Sequence, residues 1–208
     1  THYVTISGLT QNTDIYFEVS SIANAEESVD NNGGLYYQVK TGPTLTPPGG
    51  SKTVWGYLYQ PGGTTLVANA IVYLQLQDGD GLGSLAPSQW VTARTTSGGV
   101  WSYNLINVRT DNFGAYYSFT DGADKLRIVG QGGSAGSKGG EPNPWIITLP
   151  TAYSYQVDII LTANPTAVRM IHYGAQNSHH NEASLVLGSS TLLLVAATWA
   201  ILRKRKKS

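Results

Sequence analysis

Hydrophobic and polar residues alternate in short runs along the first 163 residues, and Gly, Asn, Asp and Pro separate the runs. Successive side chains of a strand point to opposite faces, so this period of two predicts half-buried β-strands. The same residues lack the 3.6-residue periodicity of amphipathic helices. Frequent Tyr, Val and Thr also favour strands. The pattern therefore predicts an all-β chain of small sandwiches.

Residues 183–202 form a different kind of run, because none of them is charged. A helix of about 20 residues spans about 30 Å, which is the hydrocarbon thickness of a bilayer. The polar residues of the run are Ser and Thr, whose hydroxyls can bond back to their own helix. The run predicts one C-terminal transmembrane helix. The alternative is an apolar helix that docks into a partner.

A cluster of cations follows this run directly and predicts its orientation. The cations are Arg203, Lys204, Arg205, Lys206 and Lys207. Positively charged flanks stay in the cytoplasm, and the nearest cation before the run is Arg169. We therefore expect a single-pass protein of the cell membrane, with a basic cytoplasmic tail at 203–208 and all earlier residues outside. The lipid bilayer is then its first partner.

The net charge of the whole chain is zero, but the part before residue 203 is acidic. The chain has 13 Lys and Arg against 13 Asp and Glu, and removing the five tail cations leaves eight, a net charge of −5. This part lacks the basic stripe that a nucleic-acid partner requires. The absence of Cys and of Asn-x-Ser/Thr sequons excludes a disulfide framework and fits a bacterial or archaeal surface. Because the chain starts at Thr1 without a signal peptide, we expect it to be the end of a longer exported protein.

The first 43 residues contain three predicted strands, at 3–6, at 15–22 and within 35–42. Three strands alone cannot bury a sandwich core. The segment resembles the second half of a fibronectin type III domain, which closes with a corner, an aromatic-rich strand and a final strand. The matching residues are Gly8, Leu9, Thr13, Tyr16, Val19, Lys40, Thr41 and Gly42, whereas Gln11 and Ile15 replace the family's Pro and Tyr. The resemblance implies a partial domain at 1–43, and a Pro-stiffened linker follows at 44–51.

A second unit begins at Lys52 and contains about seven alternating runs. Its residues resemble the carboxypeptidase regulatory-like, or transthyretin-like, seven-stranded sandwich, and a generic Ig-like sandwich is the alternative. The matching residues are Val54, Gly56, Leu58, Ala70, Val72, Leu74, Thr96, Gly99, Trp101 and Tyr103. The resemblance implies a domain at 52–163, with a tether at 164–182. Because Trp101 alternates with Tyr103 and Leu105, we expect it in the core.

Two aspartates, Asp78 and Asp80, lie in an Asp-Gly-Asp-Gly segment and are weak candidates for binding a metal. A calcium loop also needs further oxygen ligands and a distal Glu, while Asp-Gly pairs favour turns by themselves. We therefore expect a polar turn, no cofactor, and a fold that does not require metal. The glycine-rich segment 130–140 lacks the helix that a phosphate loop needs and predicts a flexible loop.

An aromatic stripe is the candidate ligand-binding surface. If Val54, Gly56 and Leu58 face the core, the alternating residues face outward. The stripe consists of Trp55, Tyr57 and Tyr59, with Tyr73 on the next strand. Exposed aromatic rings can stack on sugars or on another protein. The alternative is an ordinary sheet surface, or a surface that packs on the neighbouring fibronectin-like domain.

The sequence offers no motif for catalysis within these residues. It has no His-Glu-x-x-His, no Gly-x-Ser-x-Gly and no Cys nucleophile. We therefore expect a membrane-anchored stalk or adhesion module that presents β-sandwiches outside the cell to other surface proteins or glycans. The alternatives are an accessory region of a surface enzyme, for example a carbohydrate-active one with its catalytic domain upstream, or a glycan-binding module.

Overall fold

The computed structural model describes residues 4–23, 25–140 and 142–163, and these residues confirm the predicted all-β class. The strands are β1 (Asp14–Phe17), β2 (Val19–Ala23), β3 (Glu26–Asp30), β4 (Tyr37–Lys40), β5 (Thr53–Tyr59), β6 (Ile71–Gln77), β7 (Val91–Arg94), β8 (Val100–Asn104), β9 (Lys125–Gln131), β10 (Ser137–Lys138), β11 (Trp145–Thr148), β12 (Ser154–Gln156) and β13 (Ile159–Ile160). Short 3-10 turns lie at Asn32–Gly34, Leu105–Asn107 and Gly133–Ala135. No helix in the described ranges has the length and hydropathy needed to cross a bilayer. The predicted tether, transmembrane helix and basic tail lie outside the described residues.

The first four strands form two small antiparallel ladders, one between β1 and β4 and one between β2 and β3. None of the residues 4–51 whose exposure the structure describes is buried, which agrees with a segment that has too few strands for a core. The predicted strand at 15–22 is divided at Glu18. Strand β3 was not predicted because all its side chains are exposed, so no alternation marks it. The predicted strand at 3–6 is wrong for residues 4–6, which pair with no described strand.

The first sheet of the following sandwich is built around β5. Strand β8 pairs with β5 antiparallel on one side, and β12 and β13 pair with it in parallel on the other. The parallel pairing with β5 is interrupted between β12 and β13, where the carbonyl of Val157 approaches Gly56. A Cβ on Gly56 would lie 2.0 Å from that oxygen, so the close approach requires glycine. Asp158 Oδ1 accepts a hydrogen bond from the backbone N–H of Tyr57 at 2.9 Å and bridges the break.

The second sheet is built around β6, which lies between β7 and β9. Strands β10 and β11 both pair with the other edge of β9. The prediction of a flexible loop at 130–140 is therefore wrong in part, because the segment contains β10 and the end of β9. Gly136 closes this segment with a φ of +107°, and a Cβ there would lie 2.0 Å from the carbonyl oxygen of Thr162. Strand β11 was not predicted either.

The two sheets face each other across one core. The core comprises Val54, Leu58, Val67, Ala70, Val72, Leu74, Leu76, Val91, Ala93, Trp101, Leu105, Val108, Tyr117, Leu126, Ile128, Leu149, Val157, Ile159 and Leu161. All of these residues fall within 52–163. Trp101 is 1 % exposed, which confirms its predicted place. Tyr103 packs against the same core from β8, whereas Leu105 reaches it from the 3-10 turn that follows.

Candidate functional site

The aromatic residues of β5 form a row on the outer face of the first sheet, as the alternation predicted. Val54 and Leu58 are fully buried, while Trp55, Tyr57 and Tyr59 are half-buried. The ring centroids of Trp55 and Tyr57 are 6.2 Å apart with an edge-on interplanar angle of 71°, and those of Tyr57 and Tyr59 are 6.1 Å apart at 43°. Pairs of this geometry stabilise each other. We call Trp55, Tyr57 and Tyr59 the aromatic row.

Polar side chains flank the aromatic row on both sides. Cross-strand partners share a face, so Ser102 of β8 and Gln156 of β12 lie beside Trp55. The amide Nε2 of Gln156 donates to both carboxylate oxygens of Asp158, at 2.9 and 3.0 Å. Ser102, Gln156 and Asp158 are exposed. The surface therefore combines a row of adjacent aromatic rings with a hydroxyl, an amide and a carboxylate.

Tyr73 does not belong to the aromatic row, so this part of the predicted stripe is wrong. It points away from Val72 and Leu74 as predicted, but it lies on β6 in the second sheet, whose outer face is on the other side of the sandwich. It is also only 9 % exposed, because it packs in a second apolar cluster with Ile71, Trp90 and Val129. This burial raises the pKa of the Tyr73 hydroxyl. Alternation predicted the face correctly, but it could not predict what covers that face.

A carboxylate cluster consists of Asp78, Asp80 and Asp124, whose ligand oxygens lie within 4.8 Å of one another. Strand register brings them together. The last pair of the β6–β9 ladder joins Gln77 to Lys125, so the next residue after β6 and the residue before β9 are neighbours. Asp124 was not predicted, because it lies far along the chain and no spacing motif links it to Asp78.

Backbone amides hold all three carboxylates in place. Asp78 Oδ1 accepts hydrogen bonds from the N–H groups of Asp80 (3.1 Å) and Gly81 (2.8 Å), and Asp80 Oδ1 accepts one from the following loop (2.9 Å). Asp124 accepts from Gly79 at 2.8 Å and from Thr120 at 3.0 Å. The amides of Gly81 and Asp80 hold the pKa of the Asp78 carboxyl below its ordinary value. None of the three carboxylates forms an ion pair within the described ranges.

The buried hydroxyl of Tyr117 forms no hydrogen bond of ordinary geometry among the described residues. Tyr117 is 4 % exposed and its ring belongs to the sandwich core. The pKa of this hydroxyl is raised to about 12, mainly by burial and to a lesser extent by the negative charges of Asp124 and Asp78, while a hydrogen bond with the backbone of Asp78 lowers it.

Comparisons with known protein families, curated proteins and solved structures found no match. The resemblances to fibronectin type III and transthyretin-like domains therefore stay predictions from the sequence. The residues predicted to set membrane topology, from Arg203 to Lys207, lie outside the described residues.

Proposed function

We propose that this chain is the membrane-proximal part of a cell-surface stalk or adhesion protein. A partial fibronectin-like unit at 1–43 and a transthyretin-like sandwich at 52–163 would stand outside the cell, and a transmembrane helix at 183–202 would anchor them. The uncharged run of residues 183–202 and the five cations after it support the anchor and its orientation.

The parallel pairing of the first and last strands of the sandwich carries this proposal. Thr53 at the start of β5 pairs with Ser154, and Tyr59 at its end pairs with Ile160. The chain therefore enters at one end of the sheet and leaves at the other, about 20 Å away over the six residue rises from Thr53 to Tyr59. A load applied through the two chain ends would act along these strands, so their hydrogen bonds would be strained together and not one after another.

The chain also joins its first unit to the sandwich through a fixed contact. Arg109 Nη1 donates a hydrogen bond to the carbonyl oxygen of Pro43 at 2.8 Å. Gly42 lies so close to Phe113 that a Cβ on this glycine would be 2.5 Å from the Phe113 Cβ. Pro47 and Pro48 stiffen the linker and the two glycines after them then release it, so the contacts of Arg109 and Phe113 with residues 42–43 are what restrict the joint. Such a joint limits bending, as a stalk requires.

Two experiments test the proposal. First, protease is added to intact cells that express the full-length protein; an epitope within 52–163 should be degraded and a tag after Ser208 protected. The reverse result would refute the orientation, and an intact epitope in the soluble fraction would refute the anchor. Second, single-molecule pulling through residues 52 and 163 should need a higher force than pulling through Thr53 and Asn104. These last two residues are antiparallel partners, so the second pull separates hydrogen bonds one at a time, and equal forces would contradict the mechanical argument.

The aromatic row favours glycan binding as a second candidate function. Adjacent aromatic rings beside an amide and a carboxylate provide the apolar surface and the hydrogen-bonding groups that a sugar ring needs. Residues 52–163 contain every residue of the sandwich core, so this fragment can be tested on a glycan array. Trp55→Ala should abolish binding to any glycan that the fragment retains, whereas Ile146→Ala, on the exposed face of β11, should leave it unchanged. A fragment that retains no glycan would exclude this function.

A further inference from the structure

We propose that the aromatic row selects glycans that carry free amino groups, because Asp158 places an unpaired negative charge beside it. This inference rests on the glycan-binding function proposed above, and it names the class of sugar that the surface would take. The ligand would be a linear polymer of amino sugars whose nitrogen is protonated and not acetylated.

The outer face of the first sheet carries a single charge among its described residues. Cross-strand partners share a face, and Ile160, the partner of Tyr59, is neutral. The partners of Thr53, Trp55 and Tyr57 are neutral as well: Asn104, Ser102, Val100, Ser154 and Gln156. Asp158 is exposed and lies between β12 and β13. Its carboxylate is therefore the one charged group that these strands bring to the aromatic row.

The hydrogen bonds of Asp158 position its carboxylate without neutralising the charge. Oδ1 accepts a hydrogen bond from the backbone N–H of Tyr57, and Gln156 Nε2 donates to both oxygens. These donors are neutral, and the only ion pair between side chains in the described ranges joins Lys52 to Asp121. A carboxylate accepts about four hydrogen bonds, so Asp158 Oδ2 can accept a further one from a ligand.

The rings of the aromatic row attract a cation for a second reason. The face of an aromatic ring is negative, and an ammonium group is stabilised when it lies within about 6 Å of the ring centroid. Asp158 is bonded to the backbone of Tyr57, and Gln156 lies beside Trp55, so an ammonium group on the carboxylate would be next to these rings. An acetylated nitrogen would lose both interactions, and a uronate or a sulfated sugar would be repelled by Asp158.

The length of the aromatic row favours a sugar polymer over a basic protein segment. The three ring centroids follow β5 in steps of 6.2 and 6.1 Å, so successive sugar rings can each meet an aromatic ring. Ser102 and Gln156 offer neutral hydrogen-bonding groups beside Trp55, and the hydroxyls of a sugar can pair with them. A lysine side chain has no hydroxyl for these groups and would use the carboxylate and one ring.

The test uses the full 208-residue chain in a polyoxyethylene detergent, which carries neither sugar nor ammonium groups. The probes are a linear glucosamine oligosaccharide and its fully N-acetylated counterpart of the same length, and calorimetric titration gives their dissociation constants. The wild type should bind the amino form at least about tenfold more tightly, because acetylation removes a charge-assisted hydrogen bond and a cation–π contact. A lysine oligomer with the same number of amino groups should bind more weakly than the amino form.

Asp158→Asn tests the charge itself. Asparagine keeps an oxygen for the N–H of Tyr57, so this variant should fold, and its melting temperature checks this. Its affinities for the two oligosaccharides should agree within about threefold. The matched control is Asp111→Asn, an exposed aspartate in a turn, which should keep the wild-type preference. Trp55→Ala should weaken the binding of both oligosaccharides.

The comparison of the two oligosaccharides on the wild type depends on no variant. Equal affinities would overturn the inference and leave the glycan-binding function standing. If neither oligosaccharide binds, the inference is overturned, and the glycan array decides separately on glycan binding. The inference is also overturned if Asp158→Asn keeps the preference for the amino form. A lysine oligomer that binds as tightly as the amino form would overturn it as well, and would assign this surface to basic proteins.

Discussion

Replacing Trp101 with Ala should destabilise the sandwich by about 3 kcal/mol. A buried tryptophan removes roughly 150–250 Å² of apolar surface from water, worth about 4–6 kcal/mol at 25 cal/mol per Å². Trp101 is 1 % exposed, so this full value applies. Its indole Nε1, however, has no hydrogen-bond partner in the described part of the chain, and removing an unpaired buried donor returns about 1–3 kcal/mol. The net loss therefore lies at the lower end of the usual range for truncation of large aromatic residues.

The measurement is urea unfolding of residues 52–163, followed by circular dichroism because the substitution removes a fluorophore. Trp101→Phe should lower the free energy of unfolding by less than half as much as Trp101→Ala, because Phe keeps most of the buried apolar area and removes the unpaired N–H. Trp55→Ala is the matched control on the same sheet, and its half-buried ring should cost less than the Trp101 truncation. A loss below about 1 kcal/mol for Trp101→Ala would refute the core assignment, and a gradual transition in the wild type would refute the domain boundary.

Three further predictions follow from particular contacts. Gly56→Ala should lower the melting temperature sharply because its Cβ would meet a carbonyl oxygen at 2.0 Å, whereas Gly98→Ala, whose nearest neighbour is 3.8 Å away, should change it little; equal effects would exclude the clash. Burial, and secondarily the charge of Asp121, raise the pKa of the Tyr155 hydroxyl above its ordinary value of 10.0. The folded state therefore disfavours the ionised hydroxyl, so the free energy of unfolding should stay constant with respect to this group below about pH 10 and decrease above it. In the Tyr155→Phe variant the free energy of unfolding should decrease less steeply above about pH 10. Arg109→Ala should broaden the distance distribution between spin labels in the first unit and the sandwich, while Arg94→Ala should not; an unchanged distribution would mean that the contact with the carbonyl of Pro43 does not hold the joint.

Local alternation predicted correctly which way the side chains of β5 point. Trp55 and Tyr57 face outward and Val54 faces inward, because the pleat alone decides this. The same reasoning placed Tyr73 on an outer face but next to the wrong neighbours. Its surroundings depend on which strands pair, and the β6–β9 ladder pairs Tyr73 with Val129, which is 56 positions further along the chain (129 − 73). Asp124 was not predicted for the same reason, because the pairing of β6 with β9 is what brings it close to Asp78.

Glycines inside strands and turns also indicate where these long-range backbone contacts occur. An isolated glycine within an alternating strand indicates a bulge or a close backbone approach. Gly56 is such a residue, and the break between β12 and β13 lies against it. A Cβ on Gly79 or on Gly136 would likewise lie 2.3 or 2.0 Å from a carbonyl oxygen, although turn chemistry explains a glycine at either position equally well. The sequence therefore marks where the backbone must come close to another segment. The partner of each glycine depends on strand pairing, which residue type alone does not determine.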